Sequence, residues 1–224
     1  MQKVVIFNPK GGSGKTTLST NLASYYASQH YKTALMDYDR QGSSTFWLKK
    51  RSPKCRSIQS INAAKQQGGM TRSWQLHLEP GTERVVVDSP AGANVEDFRR
   101  TLSDADAILI PVLPSDIDIH AVTQAIADLL LRAKISRSSK RIAVIANRSR
   151  KNTLVYQRLE RFLVSLDIPF VTTLRDTQNY VHAAEQGLGL FEMKLSKVEK
   201  DLCSWRPLID WLDAKIKPEI AQAV

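Results

Sequence analysis

The stretch FNPKGGSGKTT, residues 7–17, sets two lysines five positions apart in a run dense with glycine. Gly14, Lys15 and Thr16 fit the end of a phosphate-binding loop, G-x-x-x-x-G-K-[ST]. The first glycine of that pattern is due at position 9, where Pro9 stands instead. Glycines let backbone N–H groups turn inward around an anion, because no Cβ blocks the turn. A helix that starts where the loop closes adds the positive end of its dipole. Lys15 would then reach the β and γ phosphates of a nucleotide, and the Thr16 hydroxyl would ligate Mg2+. Gly11, Gly12, Ser13, Gly14 and Thr17 complete the candidate cradle. Lys10 is the unexplained charge. It leaves the strand before the cradle closes, so it need not point at its own loop's phosphates.

Three carboxylates stand where such a loop needs them. Asp37 and Asp39 close an apolar run, and at spacing two they are expected on one face of a strand. Asp88 follows Val85, Val86 and Val87 and suits a Walker B position beside the Mg2+ shell. Strand-end acids lie at the carboxyl edge of a sheet, where ligands bind in open α/β folds. Phosphoryl transfer to water needs charge neutralisation and a positioned water more than covalent chemistry. Thr16 and Asp88 are the candidate metal-side residues, and Lys15 is the candidate catalytic cation.

The elements that would position these groups alternate along the chain. Apolar β-branched runs predict strands at 4–7, 33–39, 83–88, 105–113 and 141–147, with an edge strand at 168–173. Helical patterns occupy 16–28, 120–133 and 153–166, with a last helix at about 194–216. Strands apolar throughout and separated by helices indicate an α/β fold, a mostly parallel sheet covered by helices on both faces. No internal repeat or linker interrupts residues 1–224, so one P-loop NTPase domain is expected. Residues 52–82 carry turn signals and little else.

The motif K-G-G-x-G-K-[ST], here Lys10 to Thr16, resembles the ParA/MinD family of deviant Walker ATPases. The resemblance runs from about residue 3 to 195. It includes Pro111, Pro114 and the stretch RDTQNYVHAAEQGLGLFEM at 175–193. It implies ATP and Mg2+ as cofactors, and a homodimer that sandwiches the nucleotides, with Lys10 reaching the partner's phosphates. The family's D-x-D-P-Q motif is similar to Asp37–Tyr38–Asp39–Arg40–Gln41, which implies that Asp39 orients the attacking water at the metal side and is catalytic together with Lys10. Arg40 replaces the usual proline. Asp88 to Gly92, DSPAG, is similar to the second switch. The resemblance also puts a base-contacting asparagine at Asn147. A guanine-reading N-K-x-D is absent there, which favours ATP over GTP.

Composition narrows the partner. Net charge is +10, and between Arg132 and Arg161 there are ten basic residues against the single acid Glu160. The rest of the chain sums to near neutrality. Phosphate contacts by Lys and Arg dominate sequence-independent DNA affinity. Arg132, Lys134, Arg137, Lys140, Arg148, Arg150 and Lys151 are therefore the candidate contacts to nonspecific double-stranded DNA, and Lys194, Lys197 and Lys200 extend the patch. The ParA resemblance implies a positioning ATPase whose ATP dimer binds the nucleoid, with a cargo adaptor, ParB-like or its equivalent, that stimulates hydrolysis. Its cargo would be a plasmid, a chromosome or a protein compartment such as a carboxysome.

Other classes fit less well. A MinD-like membrane-surface ATPase would need a basic amphipathic C-terminal helix. Trp205, Ile209, Leu212 and Ile216 read instead as a docked face, and the tail KPEIAQAV is a poor anchor, so no stable membrane insertion is expected. Cys55 and Cys203 are too far apart for iron–sulfur ligation. No leader or long apolar span is seen. With a first strand at about residue 3, no operator-reading domain, and so no sequence-specific repression by this chain, is expected. The expected location is cytoplasmic, on the nucleoid.

Overall fold

The structure, a computed structural model, describes residues 1–64, 71–136, 139, 141–149, 154–165 and 168–214. Its centre is a sheet of seven strands: β1 (Gln2–Ile6), β2 (Thr33–Asp37), β3 (Gln59–Asn62), β4 (Arg84–Asp88), β5 (Ala107–Val112), β6 (Ile142–Ala146) and β7 (Phe170–Thr173). Every pairing is parallel and the order is β3-β2-β4-β1-β5-β6-β7. Chain order reverses around β1, and the phosphate-loop motif leaves from that central strand. Such a reversal is where open α/β sheets hold ligands. The expected edge strand is β7, and β3 is the other edge.

Strand residues divide by parity between two cores. Val5, Ala34, Met36, Val85, Val87, Ile108, Ile110 and Val144 face one side. Val4, Ile6, Leu35, Val86, Leu109, Ala143 and Ile145 face the other. This is the period-two projection of a strand, with both faces apolar because both are covered. The first side is closed by α4 (Val95–Ser103), α5 (Asp116–Leu131) and α6 (Leu154–Ser165). The second is closed by α1 (Lys15–Ser28), Trp47 of α2 (Ser43–Lys49) and α8 (Leu195–Asp213). Short helices α3 (Arg72–Gln75) and α7 (Asn179–Glu185), with a 3-10 turn at Leu190–Glu192, complete the described elements.

Five strands and helices were not expected from sequence, β3, α2, α3, α4 and α7, nor was the 3-10 turn at Leu190–Glu192. β3 reads QSIN, an edge strand half open to solvent, so it lacks the apolar run that marks a central strand. α8 is docked as its spacing predicts. Trp205, Leu208, Ile209 and Leu212 are buried against the sheet, and Ile216 with the tail lies outside the described residues.

Candidate nucleotide site

The loop after β1 is shaped by two left-handed glycines, Gly12 (φ +76°) and Gly14 (φ +95°). Gly14 is needed twice over. A Cβ there would sit 1.9 Å from Nδ2 of Asn147, which itself donates to the Ser13 carbonyl at 2.9 Å. The end of β6 is thus laced onto the loop. Asn8, buried and missed in the sequence reading, pins the other side. Its Oδ1 accepts from the Lys10 N–H at 2.8 Å and its Nδ2 donates to the Pro111 carbonyl at 2.7 Å. α1 then starts at Lys15 with no acidic residue in its first turn, which leaves its positive end open to an anion.

The two lysines occupy different places. Lys15 is buried and its ammonium donates to the Lys10 carbonyl at 3.0 Å, across the loop. Burial lowers its pKa, and the carboxylates of Asp88 and Asp39 act in the opposite sense. Lys10 is about one-third exposed and turns out of the loop to Asp118 Oδ2 at 2.7 Å. Asp118 is buried in the first turn of α5 and bonded to the cap residue Ser115.

Asp88 ends β4 beside Ile6 and Asp37 in register, and is fully buried. Neither of its oxygens has a hydrogen-bond partner, and the hydroxyls of Thr16 and Ser44 approach without closing a bond. Burial pushes its pKa up to about 7, and those hydroxyls and Lys15 work against the shift. Two orphaned carboxylate oxygens beside a loop threonine fit a divalent cation. Mg2+ in nucleotide sites takes only one or two carboxylates, with phosphates and waters as its other ligands. Among the described residues no cluster of three or more acids, His or Cys could hold a metal ion, and an ion bound in this way does not require one.

Asp37 and Asp39 separate where the sequence expected a shared strand face. β2 stops at Asp37. Its carboxylate accepts from the N–H groups of Asp39 (3.0 Å) and Thr45 (2.8 Å), which fixes the turn and seats α2. Asp39 lies in that turn. One oxygen accepts from Gln41 N–H, and the other from Ala91 N–H at 3.4 Å in the DSPAG loop. The Gly92 N–H donates to the Pro9 carbonyl, so the three loops are joined. Arg40, in place of the proline, sits exposed on the turn.

Beyond Thr16 and Thr17 opens a cavity of about 530 Å3, within the range of small-molecule pockets. Its walls are α1, α2 (Phe46, Trp47) with Lys50 just after it, Asn147 with Arg148, the loop Asp176–Thr177–Gln178, and α7. Residues from four distant parts of the chain meet here, which no local pattern announces. Asn147, the expected base contact, lines it, and its amide also fastens the phosphate loop.

Residues 4–191 match the family described as the CobQ/CobB/MinD/ParA nucleotide binding domain. The chain belongs to that family. It is 28% identical over 191 residues to maintenance of carboxysome distribution protein A of Halothiobacillus neapolitanus, covering 85% of this chain and 87% of that one. It is 32% identical over 124 residues to the chromosome-partitioning ATPase Soj of Thermus thermophilus, about half of each chain (51% and 47%). Among solved structures, the MinD cell division protein of Aquifex aeolicus superposes with a TM-score of 0.69 at 21% identity, covering 94% of this chain and 98% of that one. A putative plasmid partition protein of Borrelia burgdorferi bound to AMPPNP gives 0.70 at 14%, covering 94% and 99%. At those identities the superpositions speak for the fold alone.

The candidate DNA residues scatter. Arg132 is exposed and paired with Asp128 (3.2 Å) and Glu96 (3.6 Å). Lys134 is exposed in a left-handed conformation. Arg148, also left-handed, lines the cavity instead of standing with them. Arg137, Lys140, Arg150 and Lys151 lie outside the described residues. No described helix is long and apolar enough to cross a membrane.

Proposed function

We propose that the chain is a weak ATPase that dimerises on ATP, binds DNA without sequence preference in that state, and positions a cargo through an adaptor that stimulates hydrolysis. The observation that carries this reading is the pair of lysines on one loop, one turned in and one turned out. Lys15 and the backbone from Gly11 to Thr17 hold the phosphates. Thr16 and Asp88 hold Mg2+, which neutralises phosphate charge when bound. Asp39, tied to both switch loops, orients the water. Asn147 closes the base pocket.

Lys10 acts between protomers. In the single chain it is neutralised by Asp118, and in the dimer it exchanges that carboxylate for the partner's phosphates. Two subunits side by side double the cationic surface, and DNA affinity rises steeply with the number of phosphate contacts. A nucleoid-bound, cytoplasmic protein follows. The names of its relatives, carboxysome distribution and chromosome partitioning, support a protein compartment or a DNA molecule as cargo.

Lys10→Ala tests the division of labour. Light scattering should show wild type as an ATP-dependent dimer. The variant should stay monomeric while its ATP Kd changes by less than about threefold, under 1 kcal/mol. A variant that dimerises normally contradicts the role given to Lys10.

A further inference from the structure

The chain outside residues 132–161 is neutral only as a sum. Between residues 40 and 78 there are eight lysines and arginines and no aspartate or glutamate. Between 79 and 131 there are three basic residues and ten acidic ones. The first block contains α2 and the loop that follows it, where Lys49, Lys50, Lys54 and Arg56 are all exposed. Among the described residues none of these four is in an ion pair with a carboxylate. Lys50 rests over the Phe46 ring at the cavity mouth.

The fifth cation, Arg51, has a different job. It is buried between both oxygens of Glu192 (2.6 and 2.9 Å), the Gly187 carbonyl and the Arg56 carbonyl, and its guanidinium lies over the Trp47 ring. Gly187 packs directly on this backbone, since a Cβ there would meet the Lys50 carbonyl carbon at 2.5 Å. One arginine therefore fixes the loop from which its neighbours project. Cations held on a fixed loop lose little conformational freedom on meeting a polyanion.

Four of the six described cations of the 132–161 segment differ, while Lys134 and Arg161 are exposed without a carboxylate partner among the described residues. Arg132 and Arg158 face carboxylates, Arg141 caps the Ser103 and Ala105 carbonyls, and Arg148 lines the cavity. We infer that the loop after α2, with Lys49, Lys54 and Arg56, is a contact surface for the phosphate backbone of duplex DNA. Ser52, Pro53 and Ser57 separate its charges, with no run of apolar side chains to enter a bilayer. The inference rests on the DNA-binding reading above and names a surface for it.

The test is the salt dependence of ATP-state binding to a random-sequence duplex, for wild type and a Lys49→Ala/Lys54→Ala/Arg56→Ala variant. Each lost phosphate contact lowers the slope of log K against log salt by about 0.9, so the triple variant should lose at least about 2 units. ATP affinity should be unchanged, because none of the three lines the nucleotide cavity. If the triple variant does not fold, Lys54→Glu alone should lower the slope by about 1 or more. Wild-type binding with an unaltered slope in the variant overturns this surface and leaves the DNA reading standing. No wild-type binding to duplex, with or without binding to phosphatidylglycerol vesicles, overturns both.

Discussion

The two ends of the same sheet handle buried polar groups in opposite ways. At the amino end Gln2 donates to the Leu212 carbonyl and accepts from the Tyr26 hydroxyl, and the Lys3 N–H is held by Asp106. Arg84 there stacks on Tyr31, and among the described residues its Nε is the exception at this end, buried without a hydrogen-bond partner. At the carboxyl end Asp88, Ser44, Thr45, Ser89 and Asp118 each keep at least one buried oxygen without a partner. An unpaired buried polar group costs about 1–3 kcal/mol, so a fold retains a cluster of them only where something else completes them. Apart from Arg84 Nε, the amino end is finished by the chain itself. The carboxyl end, in the function proposed above, is completed by a charged ligand.

The largest test of this contrast is Lys15→Ala, which removes the cation buried in the loop. ATP affinity should fall at least about 100-fold by calorimetry, since contacts to charged groups are worth about 1.5–3 kcal/mol each. The nucleotide-free melting temperature should hold or rise, because the charge is buried at a cost. Retained ATP affinity would break the comparison.

Gln2→Ala should do the reverse. It leaves the Leu212 carbonyl and the Tyr26 hydroxyl short of partners, for a loss of about 1–3 kcal/mol in denaturant unfolding. The ATP Kd should not move. A shift in Kd would mean that the two ends are not separable.

How much of this was legible beforehand depended on whether the signal was local. The loop was readable because its glycines, lysines and threonines must be contiguous. The central strands were readable because burial on both faces demands unbroken Val and Ile. Asp37 was misjudged because β2 ends one residue before the turn, and its carboxylate serves the backbone of Asp39 and Thr45. Asp118 was missed although Ser115 three residues earlier is a capping signal. The cavity was out of reach, since Phe46, Arg148 and Gln178 meet only in three dimensions. Summing charge over the whole remainder hid the basic block at 40–78 behind the acidic one.

A smaller effect follows from Asp88. Its carboxyl, near 3.8 in an unfolded chain, titrates at about 7 in the folded one. The folded state holds that proton longer, so stability from this group is present at low pH and is lost as pH rises from about 4 to about 7. The span is on the order of a few kcal/mol. Without nucleotide or Mg2+, wild type should lose more melting temperature than Asp88→Asn between about pH 5 and about pH 8. Parallel curves for the two proteins would show that the carboxyl is not held protonated.

The central claim is that nucleotide gates DNA binding. The most direct measurement is equilibrium binding of the wild-type protein to a random-sequence duplex at moderate salt, with ATP and Mg2+, with ADP, and with no nucleotide. The account predicts tight, salt-sensitive binding with ATP alone. Equal affinity in all three states, or none in any, would contradict it.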